Sequence, residues 1–175
     1  PFTRMILGPM DYTPGGFRNA APANFVARNH EPMVLTTRGQ AVAMYVVYDS
    51  PLQMVADAPA AYKNADGSWA DGAEFIQQVP TTWDETRILA GDIGQYIVSA
   101  RRKGNTWYLG AMTNEAARTV KVPLAFLGKG SFTAQVLEDG KDQNHLRAST
   151  RQVTAGQSLT LKLAPSGGAV AVIMQ

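Results

Sequence analysis

An α/β segment followed by an all-β domain is the fold class this sequence predicts, and three observations predict it. Over residues 1–80 apolar strands alternate with helical patterns, in the order strand, helix, strand, helix that builds a parallel sheet or barrel. Over residues 81–175 the apolar period becomes two, with turn residues between runs, the pattern of an antiparallel sheet with one buried face. Composition changes at the join. Eight of the ten prolines lie in the first 80 residues, and the balance moves from 5 basic and 7 acidic side chains to 11 and 7. No Gly/Ser-rich linker separates the two parts, so they are expected to pack against each other.

In the first part, Phe2 to Met10 is a short apolar run stopped at Gly8-Pro9, fitting a buried strand. Tyr12-Thr13-Pro14-Gly15-Gly16 and Asn19 to Pro22 supply the turn chemistry of a long loop. Thr37 is placed to cap a helix running from Gly39 to Tyr48, apolar nearly all round and therefore buried on several sides. Pro51 ends it, Leu52 to Ala56 reads as a second buried strand, and Ala58–Tyr62 and Ala73–Gln78 read as helical. Two strands neither close a sheet nor cover that helix. The chain opens on Pro1 directly into an apolar stretch, an opening that reads as a fragment of a longer protein.

In the second part, Tyr96-Val98-Ala100, Val120-Val122-Leu124, Phe132-Ala134-Val136 and Leu159-Leu161-Leu163 each alternate with mostly polar neighbours. Runs at Trp107–Met112 and Val170–Met174, with weaker ones at Thr86–Leu89 and Arg151–Thr154, bring the count to about eight strands, enough for a sandwich. No helical period follows residue 83.

With 175 residues, 45% hydrophobic and 17% charged, the chain is too apolar for disorder and has no run long enough to span a bilayer. A net charge of +2 offers no electrostatic case for nucleic acid, and zero cysteines exclude disulfides, thiol nucleophiles and thiolate metal sites. His30 and His145 lack metal-ligand spacing, and no nucleophile elbow or phosphate-binding glycine loop is present. Asn64 to Gly72 has the look of a calcium loop. Aligned on Gly67, however, its first and last ligand positions are Tyr62 and Ala73, so it reads as a polar turn. Arg101-Arg102-Lys103 reads as solubilising charge, and Trp69, Trp83 and Trp107 as packing residues with sugar stacking as the rival.

The carboxylates carry more. In an α/β barrel the residues just past the C-terminal strand ends line the active site. Asp11 and Asp57 each follow such an end if their runs are barrel strands, and paired acids there suit glycoside hydrolysis. The competing reading has Asp11 bonding to the Tyr12-Thr13 turn and Asp57 capping the helix at Ala58-Pro59.

Three long stretches carry a resemblance. They are Pro1-Phe2-Thr3-Arg4-Met5 with Gly8-Pro9-Met10-Asp11-Tyr12-Thr13-Pro14-Gly15, then Ser50 to Asp57, then Pro80 to Thr86 running into Gly94–Gly104 and Trp107–Asn114. Together they resemble glycoside hydrolase family 97, the bacterial α-glucosidases and α-galactosidases, over essentially the whole chain. The resemblance implies an enzyme with an N-terminal β-sandwich, a central (β/α)8 barrel and a C-terminal β-domain. Residues 1–80 would then be the final two strand–helix units of the barrel, and residues 81–175 the C-terminal antiparallel β-sandwich. It implies hydrolysis of terminal α-linked sugars, with this piece closing and stabilising the barrel. The catalytic acids and the ligands of a calcium ion would lie upstream, so the piece alone would be inactive. Asp11, Tyr12 and Asp57 would be substrate-lining residues at the barrel mouth. The implied partners are an oligosaccharide substrate and the missing N-terminal sandwich and barrel segment, or another copy of the chain, with no nucleic acid and no membrane. The implied location is the bacterial periplasm or the exterior. The alternative is a carbohydrate-binding or structural β-sandwich module, with Trp107 a candidate sugar contact, that docks on a partner chain.

Overall fold

The computed structural model describes all 175 residues, Pro1–Gln175, and its regular structure is dominated by eight strands. These are β1 (Glu85–Asp92), β2 (Tyr96–Lys103), β3 (Thr106–Thr113), β4 (Arg118–Pro123), β5 (Phe132–Asp139), β6 (Leu146–Val153), β7 (Ser158–Leu163) and β8 (Gly168–Met174). They form a six-stranded sheet in the order β1-β2-β3-β8-β5-β6 and a two-stranded sheet of β4 and β7. Every pairing is antiparallel. Two helices accompany them, α1 (Arg38–Val47) and α2 (Ala73–Gln78).

Period two sets the inside of the sandwich. Val98 and Ala100 of β2 align with Ala111 and Leu109 of β3, which align in turn with Ala169 and Ala171 of β8. These side chains meet Val120, Val122, Leu159, Leu161 and Leu163 of the small sheet in one apolar core. The centre of the large sheet is buried on its outer face too, which is why β8 reads Ala-Val-Ala-Val-Ile with little alternation. There Ser99, Gly110 and Val170 lie side by side across β2, β3 and β8, and α1 packs onto this row.

The approach of α1 is close because glycines face it. A Cβ on Gly110 would lie 2.8 Å from Val46 Cβ and 3.1 Å from the Ala43 carbonyl oxygen. One on Gly168 would lie 2.7 Å from Gln40 Cα, and one on Gly39 would overlap the Gly168 carbonyl oxygen. Val42 and Val46 are fully buried as a result, each worth about 1.5–3 kcal/mol relative to exposure. The helix starts as its sequence predicts: the Thr37 hydroxyl accepts from Gln40 N at 3.1 Å. The same hydroxyl donates to Asp139 Oδ1 at 2.5 Å, while Asp139 Oδ2 accepts from Ala164 N and Gly168 N. One carboxylate thereby ties the helix cap to β5, β8 and the turn after β7.

Sheets of six and two strands cannot cover each other, so the free edge of β7 faces β5 and β6 across a gap that side chains span. Glu138, 1% exposed, accepts from Lys162 N at 2.7 Å and from Arg147 Nη2 and Arg151 Nη2 at 2.9 and 3.1 Å. Arg151 Nη1 donates to the Thr160 carbonyl oxygen at 2.9 Å. These contacts take up β7 backbone groups that a neighbouring strand would otherwise pair.

The antiparallel second part agrees with its sequence pattern; the α/β reading of residues 1–80 is overturned. No strand forms over Phe2–Met10: Arg4–Leu7 is a 3-10 turn whose Ile6 and Leu7 are 77% and 84% exposed. Leu52–Ala56 makes one isolated parallel bridge, Gln53 to Tyr12, and exposes Leu52, Met54 and Val55. The segment at 58–62 is a 3-10 turn, Pro59–Tyr62. An apolar run becomes a strand only where neighbours take up its backbone groups and cover its side chains, and here a few backbone bonds form while most of the apolar side chains stay exposed. The helix α1 does form, but it is covered by the large antiparallel sheet instead of standing in strand–helix units of a barrel.

Gly110→Ala should lower stability by roughly 1–3 kcal/mol, because Val46 or the helix must move; an unchanged urea midpoint would show that α1 has slack over β3. Burial raises the Asp139 carboxyl above its ordinary range, outweighing the hydrogen bonds from Thr37, Ala164 and Gly168 that favour its ionised form. A raised folded-state value gives stability that is complete below the unfolded value and is lost as pH climbs through the folded one. The margin of the parent chain over Asp139→Asn should therefore be largest below about pH 4 and shrink at higher pH. Urea midpoints across a pH series test this, and a margin that grows with pH would show that the hydrogen bonds dominate.

Candidate functional site

The loop that carries the predicted site residues is held against the segment after α1. Met10 N donates to the Asp49 carbonyl oxygen at 3.2 Å, Met54 N to Tyr12 O at 3.3 Å and Ala56 N to Pro14 O at 2.9 Å. Residues 10–14 and 49–56 therefore run side by side and parallel, without enough pairing to make strands. Asp11 precedes the Tyr12–Gln53 bridge at one end of this stretch, while Asp57 lies at the other end, past Ala56. The two acids are not brought together.

Each candidate has a distinct setting. Asp11 is exposed and its side chain makes no hydrogen bond or ion pair, so it does not close the Tyr12-Thr13 turn. The Tyr12 hydroxyl donates to the Met44 carbonyl oxygen of α1 at 2.7 Å, and its ring packs edge-on against Tyr48 at 5.3 Å. Burial, aided by Tyr45 and Tyr48, raises the Tyr12 phenol, which stays protonated. The Asp57 side chain is 2% exposed, pairs with Arg18 Nη1 and accepts from Phe17 N at 2.7 Å. It does not cap the turn at Pro59, whose first residue has no side-chain cap. Asp57 thus shapes the loop from within.

Beside Asp57 lies an apolar hollow of about 490 Å3, walled by Val55, Pro59, Tyr62, Trp69 and Ile76. Trp69 is 41% exposed, and the Lys63 ammonium sits 3.1 Å over its ring. The other two tryptophans pack: Trp107 is 6% exposed against Phe126, and Trp83 stands edge-on to Tyr108. With Trp107 buried, the binding-module alternative loses its sugar contact on that residue. Asn64–Gly72 is a polar turn, with Asp66 Oδ1 accepting from Ser68 N and Ser68 Oγ. No three His, Asp or Glu side chains gather as a metal site, so the residues present do not fit a calcium ion.

The basic run at the β2 end is tied down. Arg101, 4% exposed, donates to Asp49 Oδ1 at 2.9 Å, joining β2 to the segment after α1. Arg102 and Lys103 pair with Glu85 and Asp84. A second interior cation, Arg38, bonds to Asn19, Phe17 O, Asp71 O and Asn144, and burial lowers its pKa to about 10, so it remains charged at neutral pH. The cluster of Glu138, Arg147 and Arg151 was missed from sequence. A signal was available, since Phe132, Ala134 and Val136 put Glu138 on the inward parity of β5.

Residues 82–174 match the glycosyl-hydrolase 97 C-terminal, oligomerisation domain. Over 172 residues the chain is 40% identical to a retaining alpha-galactosidase of Bacteroides thetaiotaomicron, covering 96% of this chain and 25% of that protein. It is 35% identical to a probable retaining alpha-galactosidase of Streptomyces bingchenggensis, covering 98% of this chain and 24% of that protein. Among solved structures, a glycoside hydrolase family 97 enzyme in complex with acarbose from Pseudoalteromonas sp. strain K8 superposes with a TM-score of 0.84. It is 43% identical, covering 99% of this chain and 27% of that one. The chain thus spans about a quarter of the length of the relatives it matches. No helix is long and apolar enough to cross a membrane. From the match over residues 82–174 and the similarity that extends across residues 1–81, the chain belongs to glycoside hydrolase family 97, as a C-terminal portion of that kind of enzyme.

Proposed function

We propose that the protein to which this chain contributes hydrolyses terminal α-linked galactosides or glucosides with retention of configuration. The observation that carries the reading is similarity along nearly the whole chain to retaining alpha-galactosidases and to a family enzyme holding acarbose. Retention needs two carboxyl groups about 5–5.5 Å apart across the scissile bond. In this chain Asp57 and Glu138 are consumed by arginines and backbone donors. The catalytic pair and any calcium ligands are assigned to parts of the enzyme outside these residues, and its location to the periplasm or exterior.

The role assigned to this chain is structural support and a share of the substrate opening. Asp11, exposed and unpaired, is assigned contact with the oligosaccharide, with Tyr12 and Asp57 holding the loop that follows it. The exposed apolar side chains Ile6, Leu7, Leu52, Met54 and Val55 form the surface that meets the rest of the enzyme. Residues 82–174 are assigned a part in self-association, following the description of the domain they match.

An antiserum against residues 82–174 should remove nitrophenyl α-galactosidase or α-glucosidase activity from an extract of the native source. Activity that stays wholly in the supernatant would sink the reading. Replacing Asp11 by Asn in the active enzyme should raise KM with little change in kcat, the signature of a lining residue; an unchanged KM would remove Asp11 from the opening.

A further inference from the structure

The cleft between β6 and β7 has a composition that stability alone does not account for. It has a volume of about 310 Å3 and is lined by Glu138, Arg147, Ser149, Arg151, Thr160 and Lys162, with no apolar side chain. Three cations stand against one carboxylate, and that carboxylate is already engaged by Arg147, Arg151 and Lys162 N. Arg147 keeps donors beyond its one bond to Glu138, and its side chain is 56% exposed. The Ser149 hydroxyl is buried and has no hydrogen-bond partner, a condition that costs about 1–3 kcal/mol unless something satisfies it.

The positive character continues outside the cleft. On the outer face of the small sheet Thr119 is paired with Lys162 and Lys121 with Thr160. The two lysines are therefore diagonal neighbours, about 7–8 Å apart at the backbone. Both are exposed and neither forms an ion pair, and the face they share, made of alternate residues of β4 and β7, contains no acid. Past Lys162 a second open hollow, about 580 Å3, adds Lys141, which is also unpaired, beside Asp139, whose carboxyl is engaged by Thr37, Ala164 N and Gly168 N. Lysines on edge strands do deter strand pairing, but that role places no orphan hydroxyl beside them.

We infer that this cleft and the lysine face beside it bind an acidic glycan, through a carboxylate or sulfate substituent seated among Arg147, Arg151, Lys162 and Ser149. Anionic oxygens complement the two guanidinium groups, and the Ser149 hydroxyl gains an acceptor. Thr119 and Thr160, standing beside the lysines, and Ser158 beyond them suit the hydroxyls of neighbouring sugar units. A single-stranded nucleic acid adds stacking on aromatic faces to charge, and an anionic membrane surface adds insertion of apolar residues; this face supplies charge and hydroxyls but neither of these. A second copy is a poor occupant as well, because a two-fold contact would set lysine against lysine. The site rests on the charge and hydroxyl pattern of the sandwich, and it is read by binding, so its failure is distinguishable from failure of the proposed hydrolysis.

The test is titration of the chain at low and moderate salt with dextran sulfate oligosaccharide, oligogalacturonate and neutral dextran of matched length. Oligo-dT and phosphatidylserine vesicles serve as rival polyanions. At low salt, at least one anionic glycan should bind about tenfold or more tightly than neutral dextran, weakening as salt rises. Which of the two binds identifies sulfate or carboxylate. The double variant Lys121→Gln, Lys162→Gln should lose about tenfold in affinity. Ser149→Ala should lose about threefold without lowering the thermal midpoint. Equal binding of neutral and anionic glycans overturns the inference, as does tighter binding of oligo-dT or vesicles. So does a double variant that titrates like the parent, and an unchanged affinity in Ser149→Ala removes the cleft as the seat.

Discussion

The contact on which the rest of the structure depends is the close seating of α1 on the outer face of the large sheet. It is a steric constraint before it is an energetic one. Gly39, Gly110 and Gly168 remove side chains where helix and strands meet, so that the Ala43, Val46 and Val47 side of the helix reaches the sheet. Because α1 belongs to the first half of the chain and the sheet to the second, this one contact makes a single body of two sequence regions. Arg101 to Asp49 and Tyr12 to the Met44 carbonyl are secondary ties, and both act on the far end of the same helix.

Polar interactions in this protein occupy places where backbone pairing is missing. Asp139 serves the cap of α1 and two turn amides, and Glu138, its neighbour on the opposite face of β5, serves the free edge of β7. Adjacent carboxylates pointing to opposite sides of a strand thus close both layers of the fold. Their environments differ, because Glu138 is matched by two arginines whereas Asp139 has only neutral donors and is held in its protonated form to higher pH by burial.

How much of this was legible in the sequence follows from where each signal resides. Alternation in Val120-Val122, Phe132-Ala134-Val136 and Leu159-Leu161-Leu163 is local, and the strands form where it predicts. The Thr37 cap is local also. Phe2–Leu7 and Leu52–Ala56 look as apolar as any strand in the chain, but a strand needs partners, and partners are not a property of the run itself. Site residues suffered from the same gap. The sequence places Asp11, Tyr12 and Asp57 beside turn residues, yet the arginine that occupies Asp57 is 39 positions away, and no spacing rule connects them. The parity of Glu138 was readable; that Arg147 and Arg151 stand across from it depended on a hairpin register known only once β5 and β6 are paired.

The glycine row beneath α1 also decides where this protein can be cut and rejoined. A chimera that exchanges residues 82–174 between relatives keeps α1 seated only where the incoming sheet also has glycine at 110 and 168. A single methyl group at either position displaces that helix. The transferable unit is therefore the sheet together with residues 37–47, and successful exchanges between family members should place their crossover before Thr37 instead of at the boundary that sequence similarity marks.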